Sequence, residues 1–130
     1  MLYAIDFETV LIQPGLPSPP PVCMSVASNQ GVEIFEPSEA LEIIEFVLQS
    51  DTIIGANTAF DMAIACNARP SLVPAVFAAY DDDRIMDVLI RQKLIDIAMG
   101  EYRHHGRYNL AALTKRLCGR ELKKEDTWRC

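Results

Sequence analysis

Asp6 and Glu8 stand one residue apart in the apolar segment Tyr3-Ala4-Ile5-Asp6-Phe7-Glu8-Thr9. Side chains alternate along a strand, so the two carboxylates share one face and Phe7 takes the other. Their Cα atoms then lie ~6–7 Å apart, close enough to share a divalent cation. Two acids at the end of a buried strand are costly unless something positive compensates them, and the simplest compensation is a metal ion. A third acid, Asp61, follows in Asn57-Thr58-Ala59-Phe60-Asp61. Taken alone, Asp61 is an acid well placed at a helix N-terminus. Asn57 alone is a helix cap, and Phe60 alone is a core side chain.

The elements that must position these residues are legible in outline. Residues 2–10 form a central, buried strand. Residues 13–21, Gln-Pro-Gly-Leu-Pro-Ser-Pro-Pro-Pro, can be neither helix nor internal strand and serve as a stiff connector. Residues 22–28 and 32–35 pair as a hairpin through Asn29-Gln30-Gly31. Pro37 opens a helix with an apolar stripe at Leu41, Ile44, Val47 and Leu48. Residues 52–56 are a short buried strand, capped by Asn57 or Thr58 into a small apolar helix. Pro70 and Pro74 bracket a loop before a helix ending near Tyr80. Asp81-Asp82-Asp83 reads as a solvated turn. Residues 84–87 make a brief strand, followed by an amphipathic helix to Met99 that stops at Gly100. His104 and His105 fall in a polar loop, where adjacent side chains diverge and chelate poorly. A last helix runs from an Asn109 cap to Gly119. This order indicates an α/β domain with a mixed sheet.

If strand 52–56 lies parallel to and beside strand 2–10, Asp61 begins its helix near Asp6 and Glu8. Open α/β sheets place their ligands at such carboxyl ends.

Composition sets the outer limits. A chain of 130 residues, half of them apolar, can bury the core of one domain. No stretch approaches the ~20 apolar residues of a membrane span. No basic region precedes the first apolar run, so no secretory signal is expected. The four cysteines form no CxxC pair and are expected as reduced thiols of a cytosolic protein. The formal charge is −6, unevenly spread. Residues 1–102 carry four basic and fifteen acidic side chains, a net of −11, while residues 103–130 carry eight and three, a net of +5. The basic segment is either a solvated helix face with a tail or a phosphate-contacting edge.

Together, Asp-x-Glu on the first strand and Asn-x-x-Phe-Asp after the fourth resemble the DEDD-type 3′–5′ exonucleases. The similarity is greatest to the proofreading domain of phage-type family-A DNA polymerases. Residues 3–9, the proline-rich loop before residues 22–27, residues 53–61 and 84–89, Tyr108-Asn109-Leu110-Ala111-Ala112-Leu113 and residues 122–129 all resemble segments of that family, which covers essentially the whole chain. The resemblance implies a ribonuclease-H-like fold and two-metal phosphodiester hydrolysis at DNA 3′ ends. Asp6, Glu8 and Asp61 would be the catalytic and metal-holding carboxylates, and their oxygen donors favour Mg2+ or Mn2+. Thr9 would contact the terminal nucleotide through its backbone, with Asn57 and Phe60 shaping the pocket. The implied partners are a single-stranded DNA 3′ end and a polymerase domain in the same or a partner chain. The implied setting is the cytoplasm of a bacterial or phage-infected cell, with no membrane.

One family motif is missing. The family carries Tyr-x-x-x-Asp or His-x-x-x-x-Asp on a later helix. Four residues after Tyr80, Tyr102 and Tyr108 stand Arg84, Gly106 and Ala112, and five after His104 and His105 stand Asn109 and Leu110. Asp87 precedes a helix where the family often has an aspartate, but it does not match that motif. Residues 1–130 are therefore expected to be a single exonuclease-like domain, C-terminally incomplete relative to the family. The alternative is a non-catalytic nucleic-acid-binding or interaction domain that has kept the fold.

Overall fold

The structure, a computed structural model, describes residues 1–16, 18–102 and 108–122. Strand β1 (Leu2–Thr9) leads through the proline-rich connector to β2 (Pro21–Ser28), which folds back on β3 (Gly31–Phe35). Asn67 Nδ2 donates to the Ser18 carbonyl at 3.0 Å, which fastens the connector to a helix behind the sheet. In the hairpin turn the Gln30 N–H donates to Ser28 Oγ at 3.1 Å. Gly31 takes a φ of 132°, a region open at low cost only to a residue without Cβ.

Helix α1 (Pro37–Val47) starts on its proline, where no N–H is needed, and buries Ala40, Leu41, Ile44 and Val47. That spacing of three and four is the apolar stripe of an amphipathic helix. There follow β4 (Thr52–Gly55), α2 (Thr58–Ala68), a 3-10 turn at Pro70–Leu72, α3 (Val73–Asp81), β5 (Ile85–Asp87), α4 (Val88–Ala98) and α5 (Leu110–Cys118). The loop expected between Pro70 and Pro74 is instead helical. Each proline occupies the first positions of its own turn, the place in a helix that tolerates it.

The sheet has the order β3-β2-β1-β4-β5. Its β1–β2 and β2–β3 pairs are antiparallel, and its β1–β4 and β4–β5 pairs are parallel. Both parallel connections advance the same way across the sheet, so their helices fall on one face. There Ile5, Phe7, Met24, Val26, Ile53 and Ile85 pack against Ile44, Val47, Ile64, Val76 and Ala79. Each large aliphatic side chain so buried contributes ~1.5–3 kcal/mol.

The opposite face is open. Leu2, Val32 and Ile34 are about half exposed there, and Ala4 and Asp6 are exposed. β1 is therefore central in the sheet but buried on one face only, because α1, α2 and α3 all lie on the Ile5–Phe7 side. The expectation of reduced thiols also needs correction. Cys66 and Cys118 are free, but Cys23 is disulfide-bonded. Among the described residues, no helix is long and apolar enough to cross a membrane. His104, His105 and most of the basic segment beyond Leu122 lie outside the described residues.

Candidate active site

Asp6 and Glu8 lie on the open face of β1, opposite Ser25 and Cys23 of β2. The β1–β2 register slips between Glu8 and Thr9. Such an irregularity ends pairing and re-aims the chain at a sheet edge. The Asp6 carboxyl is held above the usual carboxylate range, first by desolvation and then by the negative charge of Glu8.

Asp61 arrives from the other direction. It lies in the first turn of α2, is 2 % exposed, and its Oδ1 accepts the Phe7 N–H at 2.9 Å. The third acid is thus fastened to the peptide between the first two. Burial pushes the Asp61 carboxyl up to about 7; the Phe7 N–H opposes the rise, and the charges of Asp6 and Asp87 add to it.

A close approach allows this. Gly55 ends β4, and a Cβ there would stand 2.9 Å from Thr58 Cγ2 and 3.1 Å from the Ile5 carbonyl oxygen. Only glycine lets the turn run so tightly against β1. Asn57 does not cap α2. Its φ of 66° and ψ of 47° are left-handed, and its side chain makes no cap hydrogen bond. Asparagine tolerates that conformation better than most residues, so its backbone rather than its amide serves the turn. The cap comes instead from Asp87, whose Oδ2 accepts the Thr58 N–H at 2.9 Å while its Oδ1 accepts the N–H groups of Leu89 and Ile90 at 2.8 and 3.3 Å.

The remaining sequence candidates are placed as follows. Thr9 is partly buried and its Oγ1 donates to the Val10 carbonyl at 2.9 Å. Phe60 is partly buried and packs against the core, and Asn57 is exposed. Asp81, Asp82 and Asp83 are exposed at the end of α3, where Asp82 pairs with Arg84 at 3.4 Å.

Two acids were missed as structural groups. Asp87 had a readable local signal, an aspartate just before an apolar helix; its second bond, to another helix, had none. Asp96 is buried in α4 and accepts from Gln92 Nε2 at 2.7 Å, Tyr108 OH at 2.7 Å and Arg116 at 2.9 Å. These donors hold its carboxyl below the usual range, the Tyr108 hydroxyl foremost, and clasp α5 to α4.

For a hard divalent cation, Asp6 and Glu8 offer a suitable pair of carboxylates on one face. Desolvation and, after it, the Glu8 charge raise Asp6, and a cation would relieve both. Among the described residues, however, no three ligating side chains stand together as a metal-holding group.

The chain superposes on the crystal structure of the Aedes aegypti Nibbler EXO domain with a TM-score of 0.67 at 16% sequence identity. The match covers 98% of this chain and 63% of that one, so the chain spans less than two thirds of the solved chain. No family model matches the sequence, and no curated protein matches it. At this identity the likeness shows the fold alone: a ribonuclease-H-like mixed sheet flanked by helices.

Proposed function

We propose that the chain is a metal-dependent nuclease of the 3′–5′ exonuclease type, acting on DNA 3′ ends as proofreading domains do. The observation that carries this reading is the bond from the Phe7 N–H to Asp61. It ties a third carboxylate to the backbone between Asp6 and Glu8, at the carboxyl end of the parallel strands. Asp6 and Glu8 would hold a Mg2+ or Mn2+ ion, which would supply activation of water and neutralisation of phosphate charge. Asp61, one peptide away, keeps a hydrogen-bond acceptor beside the pair. Burial raises its carboxyl to about 7, so Asp61 would hold or give up a proton beside the pair. The backbone of Thr9, with Asn57 and Phe60 at the start of α2, borders the place where a terminal nucleotide would lie.

One observation favours a second reading, a nucleic-acid-binding domain without turnover: the three acids do not close into a three-ligand group among the described residues. Titration with Mn2+ at pH 8 separates either reading from an inert scaffold through a rise in melting temperature. Release of 5′-mononucleotides from a single-stranded DNA 3′ end, lost in Asp6→Asn, supports the nuclease. A Mn2+-dependent shift without release supports the second reading. No shift at millimolar Mn2+ overturns the nuclease. A matched RNA end tests the sugar preference.

A further inference from the structure

Helix α2 begins with N–H groups that have no partner within the helix, as every helix does. Asn57, the residue in the capping position, leaves them unsatisfied by its side chain. The Thr58 N–H finds Asp87 Oδ2 instead, and Asp87 belongs to a different strand. In the parallel β4–β5 register Asp87 lies level with Gly55, the last residue before the turn into α2. A carboxylate at that place therefore stands directly beside the first amide of the helix. Its other oxygen is already used on α4. An ordinary helix cap needs one acceptor oxygen; a carboxylate has two, set apart so that each faces a different helix.

Asp61 is three residues beyond Thr58, one turn along the same helix. The contacts run without a gap from Asp87 to the Thr58 amide, through the first turn of α2 to Asp61, and on to the Phe7 amide between Asp6 and Glu8. The hydrogen bond that Asp87 makes is charge-assisted and partly buried, the stronger kind. The tight Gly55 turn leaves the helix start little room to move toward β1, so its freedom is to swing away from the sheet.

We propose that Asp87 is a positioning residue: by pinning the first amide of α2 it holds the Asp61 carboxylate against β1. This deepens the nuclease reading and rests on it for what Asp61 is positioned to do. The test is Asp87→Ser. Serine still caps α4, since it is as good an N-cap as aspartate, but it has a single oxygen and cannot serve both helices. Amide hydrogen exchange in the metal-free protein is read at Phe7, with Val26 of β2 as the control for global opening. The expected result is exchange about tenfold faster at Phe7, the equivalent of one lost charge-assisted bond, with Val26 little changed. The Mn2+ midpoint, read as a melting-temperature shift, should rise by a similar factor. Equal acceleration at both amides, or none at Phe7, overturns the proposal. Should wild-type protein take up no Mn2+, the nuclease reading falls, and the Phe7 amide still decides whether Asp87 positions Asp61. If Asp87→Ser does not fold, Asp87→Asn is read the same way, because an amide also offers one acceptor oxygen where the carboxylate offers two.

Discussion

Replacing Asp61 with asparagine is expected to stabilise the metal-free protein at pH 8 and to leave it nearly unchanged at pH 4. Folding raises the Asp61 carboxyl from 3.8 to about 7, with burial as the main cause. Between those values the folded chain holds a proton that the unfolded chain has lost. Unfolding therefore releases a proton, and stability falls as pH rises through that window. At 1.36 kcal/mol per tenfold change, the full rise corresponds to ~4 kcal/mol lost by pH 8. The asparagine side chain keeps the shape and a neutral oxygen to accept from Phe7, as the protonated acid does, and the stronger bond of the ionised acid is already contained in that value. The gain is then ~4 kcal/mol, or roughly 15 °C in melting temperature for a domain of this size. The assay is thermal melting of both proteins in chelator across pH 4–8, taking the difference between them so that the other carboxylates cancel. A difference that does not grow with pH, or an asparagine variant that melts lower at pH 8, would refute the reasoning. On the nuclease reading, Mg2+ narrows the gap at pH 8, because a cation stabilises the ionised carboxylates of the wild type.

Other substitutions probe separate joints of the structure. Gly55→Ala places a Cβ against the fixed Ile5 carbonyl and Thr58, and is expected to cost ~1–3 kcal/mol in a urea melt. Asp6→Asn removes one of two repelling acids without changing volume. It should abolish the Mn2+-dependent shift in melting temperature while raising the metal-free melting temperature at pH 8, where the raised Asp6 carboxyl is ionised at a cost. The Asp96 clasp holds its carboxyl low, so its contribution is present above the ordinary carboxylate range and is lost as pH falls through the lowered value. Asp96→Asn should therefore speed exchange of α5 amides at neutral pH while leaving those of β1 and β2 unchanged.

Elements with a local signal were readable from sequence. The hairpin announces itself through Asn29-Gln30-Gly31, α1 through Pro37 and its stripe, and α5 through Asn109, whose side chain does accept the Ala112 N–H at 2.8 Å. The parallel β1–β4 pair was expected as the condition that brings Asp61 near Asp6 and Glu8, because a connection through α1 permits it, while the place of β5 carried no such signal. Asp6, Glu8 and Asp61 were visible because a strand's alternation and a helix start fix where such acids lie. What escaped depends on partners from other elements. Nothing local to Asn57 says that its backbone turns left-handed and that Asp87 does its capping. Nor does anything local to Asp96 reveal a tyrosine and an arginine converging on it from α5 and the residue before its cap.

The bond between Phe7 and Asp61 also has a temporal meaning. Its ends are 54 residues apart, whereas β2 and β3 are joined by a tight turn and β1 and β2 by the stiff connector of residues 10–20. Closing a loop of that length carries an entropic cost of roughly 3–4 kcal/mol, which must be met before any contact across it contributes. The three-stranded antiparallel ribbon can form early from near-neighbour pairing, and β4 with α2 joins it later. Repulsion among Asp6, Asp61 and Asp87 is then felt mainly after the rate-limiting step. The asparagine variant at position 61 should slow unfolding by most of its stability gain and leave the folding arm of the chevron almost unmoved. A variant that instead speeds folding would place α2 in the nucleus. On this order of events the acids of the ribbon wait, solvated and harmless, until the last acid is delivered to them.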